Sequence, residues 1–399
     1  MTAMPADLIL VLNCGSSSIK FALFDASANP MPRTPAWRGK VQGIGGPNPD
    51  FGATGLAVVP VALDAAAPYA SALALIRERV QAQLGGRRLV AVAHRVVHGG
   101  GRYQAPVRID AAVLADLNSY TPLAPLHQPF ALQAVEILLA QDPGLPQVAC
   151  FDTAFHHTLP AVEQALPLPH EVTARGLCRY GFHGLSYEYM AIRLPERHGA
   201  LARGRTVVAH LGSGASLCAM HNLASVATTM GFSALDGLMM GTRCGALDPG
   251  ALLYLMETEG LTPQQLGQML YHRSGLLGVS GLSPEPRVLL PREADPGPEG
   301  ERARLALALY VRRIVREVGA LTAVLGGLDL LVFTAGVGEH QAEVRRRVCA
   351  DLGWLGISLD DAANAADADV ISAPGSRVVV GVEPTNEEWV MAREVVGVG

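Results

Sequence analysis

The stretch Leu8-Ile9-Leu10-Val11-Leu12-Asn13-Cys14-Gly15-Ser16-Ser17-Ser18-Ile19-Lys20-Phe21-Ala22-Leu23-Phe24-Asp25 decides the fold. It reads as strand, polar turn, strand. The apolar residues on either side are nearly continuous rather than alternating, the pattern of strands buried on both faces. Between them lies Asn-Cys-Gly-Ser-Ser-Ser. Gly15 lets the backbone come close to a ligand. The hydroxyls of Ser16, Ser17 and Ser18 and the N–H groups of a tight turn can gather round phosphate oxygens, and Lys20 supplies charge.

Three readings compete for this stretch. One is a polar hairpin turn without a ligand. A P-loop is the second, and it fails: no Gly precedes Lys20, Phe21 stands where Ser or Thr is required, and the next element reads as a strand. The third is the phosphate hairpin of the actin-like nucleotide-binding fold. A second copy decides for the third. Val207-Val208-Ala209-His210-Leu211-Gly212-Ser213-Gly214-Ala215-Ser216-Leu217-Cys218-Ala219-Met220 repeats strand, polar residue, Gly-Ser turn and strand. Asn13 aligns with His210, Gly15 with Gly212 and Ser16 with Ser213. Two such hairpins half a chain apart imply a duplicated α/β fold of the actin-like ATPase (ribonuclease H-like) type, two domains with a nucleotide cleft between them.

Outward from the hairpins, buried strands deliver polar residues at their carboxyl ends, where open α/β sheets place ligands. Leu89–Ala93 runs into His94-Arg95, and Gln147–Phe151 ends at Asp152. Tyr180-Gly181-Phe182-His183-Gly184 is a Gly-flanked loop presenting His183, with a helix expected through about residue 194. His127 sits in a Pro-constrained loop, where it could touch a substrate or serve structure alone. Residues 225–250 read as one long loop rich in Gly and Met that carries Arg243, and residues 282–287 as another loop. Phe333 ends a buried strand, and Thr334-Ala335-Gly336-Val337-Gly338-Glu339 follows as a strand-to-helix turn whose glycines suit close approach of a nucleotide. The adjacent pair His156-His157 is declined as a metal site, because neighbouring side chains point apart and no carboxylate cluster joins them.

The chain of 399 residues is long enough for two domains, expected at 1–150 and 151–384, with a terminal helix at 385–399 packing back on the first. The net charge of −5 and the lack of a basic stripe argue against nucleic acid and against a charged membrane surface. No apolar run is long enough to span a bilayer. The six scattered cysteines form no zinc spacing and read as reduced cytosolic thiols, so a cytoplasmic setting is expected, with no signal peptide.

The chain resembles the acetate kinase family nearly end to end. The matching blocks are the first hairpin, Ala93–Gly100, Phe151–His156, Arg179–Gly184, His210–Gly214, Gly241-Thr242-Arg243, Phe333–Glu339 and Pro384–Glu388, in family order. The resemblance implies reversible phosphoryl transfer from ATP to acetate, giving acetyl phosphate and ADP, and a homodimer. A kinase for propionate or another short-chain acid is the alternative. A nucleotide-driven switch without a small-molecule substrate and a hydrolase are disfavoured: Arg95, His183, Arg243 and Asp152 argue against the first, and the absence of a Gly-x-Ser-x-Gly elbow against the second.

Carried onto this chain, the resemblance makes Arg95, Asp152, His183 and Arg243 catalytic. Asn13 and Glu387 become the positions for Mg²⁺, with Mn²⁺ as a substitute. The acyl site falls on Arg95, Val97, Leu126, His127, Phe182 and Ala234. Nucleotide contacts fall on Lys20, on Ser16 and Ser18, on His210, Leu211, Gly212, Ser213 and Gly214, on Glu285, Pro286 and Arg287, and on Gly336, Val337, Gly338, Glu339 and His340. The chain departs from the family pattern at Ser213 and His340, where Asn is usual, at Ala227 and Ala246 for Asp, at Ala234 for Pro and at Glu285 for Asp. These departures bear on nucleotide preference and acyl size.

Overall fold

The computed structural model describes residues 7–125 and 127–398. The chain divides into two compact units, the described residues of Met1–Phe155 with those of Asn386–Gly399, and His156–Thr385. The sequence pattern alone places these divisions at 150 and 384.

The first unit holds a sheet of eight strands: β1 (Leu8–Cys14), β2 (Ser18–Asp25), β3 (Trp37–Gln42), β4 (Asp50–Ala53), β5 (Val59–Pro60), β6 (Leu89–Val96), β7 (Val107–Arg108) and β8 (Gln147–Phe151). Their order is β5-β4-β3-β2-β1-β6-β8-β7. β1, β2 and β3 are antiparallel neighbours, while β6 lies parallel to both β1 and β8. β1 is apolar and buried from Leu8 to Leu12 because both its faces are covered there. Leu8, Leu10 and Leu12 join a core with Phe21, Trp37, Phe51 and, from the helix Pro68–Gln83, Leu73, Ile76 and Val80. The helix Glu387–Val398 packs on β1, β6 and β8. Asn386 caps it by accepting from the N–H of Trp389 and also donates to the carbonyl of Arg33.

The second unit holds β9 (Thr206–Leu211), β10 (Ala215–His221), β11 (Ala224–Thr228), β12 (Leu330–Thr334) and β13 (Val379–Val382), in the order β11-β10-β9-β12-β13. β9, β10 and β11 are antiparallel neighbours, and β12 runs parallel to β9 and β13. This is the arrangement of β3-β2-β1-β6-β8, so the duplication seen in the two hairpins extends through the sheets. The long helix Pro298–Leu325 buries Leu307, Tyr310, Ile314 and Val318 along one face, the spacing of an amphipathic helix.

Three readings of local structure need correction. Residues 225–250 are not one loop, because Ala224–Thr228 pairs with β10; a run of small residues carries little strand signal, and tertiary pairing supplies the rest. The segment 282–287 is a loop only to Glu285, since Pro286 opens the helix Pro286–Arg292 and suits its first turn. Gly336 and Gly338 do not precede a helix but lie inside the short helix Ala335–His340, which follows β12 directly.

Candidate active site

In the first unit, β1 and β2 bring the hairpin turn to the carboxyl end of β1. Asn13 pairs with Lys20 across the ladder, and the N–H of Gly15 donates to the carbonyl of Ser18 at 2.8 Å. Ser16, Ser17 and Lys20 are exposed and Ser18 and Asn13 half-buried. The neighbouring strands β6 and β8 deliver Arg95 and Asp152. The Arg95 guanidinium donates from Nε to Asp152 Oδ1 at 2.9 Å and from Nη2 to Oδ2 at 2.6 Å. Its Nη1 lies 3.7 Å from Glu387 Oε2. Burial works against the charge on Arg95, but Asp152 and Glu387 outweigh it and hold the cation firmly protonated. Asp152 therefore orients Arg95 directly.

Glu387 stands in the first turn of its helix, where the macrodipole favours a carboxylate. Asn13 and Glu387 offer an amide and a carboxyl oxygen, a hard donor set. No group of three or more His, Cys, Asp or Glu side chains among the described residues forms a ready-made metal cage. Two protein oxygens fit Mg²⁺ carried in on phosphates, since that ion keeps waters and phosphate oxygens in its shell.

In the second unit, the turn between β9 and β10 is one residue shorter. Leu211 pairs with Ala215, and the N–H of Gly212 donates to the carbonyl of Gly214 at 2.9 Å. His183 adopts a left-handed backbone (φ 58°) just before the helix Gly184–His198. A Cβ on Gly214 would stand 3.2 Å from His183 Nε2 and 3.6 Å from Arg243 Nη1, so both groups converge on the bare Cα of the hairpin. Arg243 is steadied by donating to the carbonyl of Ala234 at 3.1 Å. The ring of His183 stacks on that of His210, centroids 4.1 Å apart. His210 Nδ1 lies 2.9 Å from Ser186 Oγ, which bonds Thr385 Oγ1, and the N–H of Thr385 donates to Glu339.

The short helix Ala335–His340 adjoins this hairpin, since the Ala335 Cβ lies 3.6 Å from where a Cβ of Gly212 would be. A Cβ on Gly336 would meet nothing within 4 Å, whereas Gly338 is packed against β9 and β12. Glu285 and Arg287 pair with each other at the surface. Leu126 lies outside the described residues. His127 precedes the helix Gln128–Gln141, Val97 is half-buried in the first unit, and Phe182 is buried in the second, where its carbonyl bonds His156 Nε2. His156 is held on its other nitrogen by Ser225 and braces the His183 loop. Cys14 is buried, and burial pushes its thiol up to about 12, so it offers no thiolate.

Residues to which the sequence alone assigns no role also shape the site. Arg345, fully buried, donates to the carbonyls of Gly338 and Glu339 and to Asn364, and pairs with Asp367. Glu383 is clamped between Arg193 and Arg197 two residues before Thr385. Ser216 and Tyr187 hold His183 from behind. Ser216 lies within the second hairpin without a role assigned to it there, and no spacing motif marks the others.

The model of the acetokinase family matches residues 8–393. The chain belongs to the acetokinase family. It is 50% identical over 396 residues to an acetate kinase of Rhodopseudomonas palustris, covering 98% of each chain, and 46% identical over 397 residues to one of Nitrobacter hamburgensis, covering 97% and 95%. Among solved structures of this family, the acetate kinase of Porphyromonas gingivalis is 37% identical with a TM-score of 0.86, covering 98% of this chain and all of the other. A propionate kinase from Francisella tularensis is 32% identical with a TM-score of 0.89, covering 97% and 98%. The matched span includes every acetokinase block quoted from the sequence up to Glu388 and both sheets of the fold.

Proposed function

We propose that this chain is an acetate kinase that transfers the γ-phosphoryl group of ATP to acetate, reversibly, giving acetyl phosphate and ADP. The observation that carries the reading is the convergence of His183 Nε2 and Arg243 Nη1 on Gly214 of the second hairpin. Membership of the acetokinase family supports it.

The chemistry follows from charge. The attacking carboxylate is already ionised, so no general base is needed. The barrier is repulsion between an anionic nucleophile and an anionic phosphoryl group, which positive charge and in-line placement must overcome. Arg95, locked by Asp152, binds the acetate carboxylate. Arg243 and His183 stabilise the equatorial oxygens as charge spreads over them. The acetate methyl group is received by Val97, Leu126, Phe182 and Ala234, with His127 nearby. ATP phosphates are received by the hairpin turns, Lys20 and the N–H groups of the Gly336 helix, and the nucleoside by residues 285–287 and 336–340. Asn13 and Glu387 would hold Mg²⁺, which would supply neutralisation of the phosphate charge.

A homodimer in the cytoplasm completes the reading. The helix Pro249–Glu257 buries none of its residues and leaves Leu253 and Tyr254 more than half exposed, the kind of surface a second copy would cover.

The test is a hydroxamate assay with ATP, Mg²⁺ and either acetate, propionate or butyrate. Trapped acetyl phosphate, with acetate the preferred acid, is expected. ATP turnover without acyl phosphate would overturn the kinase reading, and a preference for propionate would replace its substrate.

A further inference from the structure

His183 acts through Nε2 only if that nitrogen carries a proton, because a lone pair there would face the oxygens of an anionic group. The opposite nitrogen decides this. His183 Nδ1 lies 2.8 Å from Ser216 Oγ, and the same Oγ lies 2.5 Å from the hydroxyl of Tyr187. Ser216 and Tyr187 are wholly buried and His183 nearly so. Tyr187 follows His183 by one helical turn, and its N–H donates to the carbonyl of His183, so the two move as one piece. Ser216 follows Gly214 by two residues on β10. It ties the ring to the same hairpin that Nε2 overlooks.

Ser216 has one proton to give. A phenol is a better donor and a poorer acceptor than an alkyl hydroxyl, which favours donation from Tyr187 to Ser216 and from Ser216 to Nδ1. The ring proton is then left on Nε2. His210, stacked on His183, fixes the plane of the ring, while Ser216 fixes its rotation within that plane.

We propose that Tyr187 and Ser216 are positioning residues that hold His183 in the Nε2–H tautomer, with this N–H directed at the phosphoryl group in transfer. The proposal rests on the acetate kinase reading for the identity of that group. The device fixes the proton before substrate arrives.

The decisive experiment is ¹⁵N NMR of the imidazoles in the full chain, with His183 assigned by its loss in His183→Gln. The wild-type ring should show the Nε2–H pattern. In Ser216→Ala the pattern should become mixed and kcat should fall by about ten- to a hundredfold, up to the scale of a small misplacement of a positioned group. KM for ATP and acetate should move little. Ser216→Thr, which keeps the hydroxyl, should recover most of the rate, and Tyr187→Phe should shift the spectrum the same way with a smaller loss. An Nδ1–H pattern in the wild type, or an unchanged kcat in Ser216→Ala, overturns the proposal. Should Ser216→Ala not fold, the wild-type spectrum alone decides. Failure of the kinase reading is distinguishable, because it shows as absent acyl phosphate in the wild-type assay.

Discussion

Asp152 holds Arg95 along one edge of its guanidinium, with two parallel hydrogen bonds at 2.9 and 2.6 Å. This bidentate geometry fixes the plane of the cation as well as its place. Asp152 is almost fully buried, while Arg95 keeps about a fifth of its side chain in contact with solvent. Arg95 is thus a presented cation on a buried anchor. Asp152→Asn preserves the shape but removes the charge. Misplacing a substrate-orienting group costs about a hundredfold in rate, and Asp152→Asn should lower kcat/KM for acetate on that scale. Steady-state kinetics on protein shown to be folded by circular dichroism checks this. An unchanged value would mean that Arg95 needs no anchor.

The two candidate arginines should differ in what their loss does to folding. Arg95→Ala takes the bidentate partner from the buried carboxylate of Asp152, and losing one partner of a buried pair costs about 3–5 kcal/mol. Arg243 donates to the neutral carbonyl of Ala234, whose loss leaves no buried charge on that partner, so Arg243→Ala should be less destabilising. Both should lose about 10³-fold in turnover, the scale of a transition-state arginine. Urea melts and initial rates on the two variants separate the effects. Equal destabilisation would refute the anchor argument.

Gly336 and Gly214 make a controlled pair. At Gly336 a Cβ meets open space, and alanine favours a helix over glycine by about 1 kcal/mol. Gly336→Ala should therefore leave stability unchanged or raised, yet raise KM for ATP if the nucleotide lies against that Cα. Gly214→Ala should act on kcat, because its methyl group presses on His183 at 3.2 Å. Thermal melts and separate determinations of kcat and KM decide both. A Gly336→Ala enzyme with unaltered KM would move the nucleotide elsewhere.

Arg345 fastens the end of the Ala335–His340 helix by its carbonyls. Arg345→Lys keeps a charge but loses the planar fork. ATP binding should weaken, as read by isothermal titration, while acetate KM stays near the wild-type value. Equal weakening for both substrates would point to general unfolding instead.

Stability should fall on acidification through three buried histidines. Burial pulls His94, His98 and His156 each down to about 4, against an ordinary 6.5. Between those values the unfolded chain binds a proton that the folded chain refuses. Each histidine therefore costs about 1.4 kcal/mol per pH unit as pH falls from about 6.5 to about 4, and contributes nothing to the slope above that window. Urea unfolding followed at several pH values should show this steepening, and His94→Gln should flatten it. A flat profile across the window would show that these rings are protonated in the fold.

What the sequence determined by itself were the features written in local pattern. Two hairpins with continuous apolar flanks and Gly-Ser turns specified strands buried on both faces and a repeated unit. Strand ends at Arg95 and Asp152 and a glycine-flanked His183 were legible because chain direction and turn chemistry act over a few residues. The tertiary structure alone decided which partner each side chain meets. Arg345, Arg346 and Arg347 are consecutive and alike in sequence, yet Arg345 is fully buried on backbone carbonyls while Arg346 stays half exposed beside Glu343. Asp152 takes Arg95 because β6 and β8 lie side by side, a pairing between residues 57 positions apart. Ser216 reaches His183 across 33 residues for the same kind of reason. Hydrogen bonds and ion pairs fall off within a few ångströms, so they are set by which elements pack together, and that is fixed only when the whole core closes.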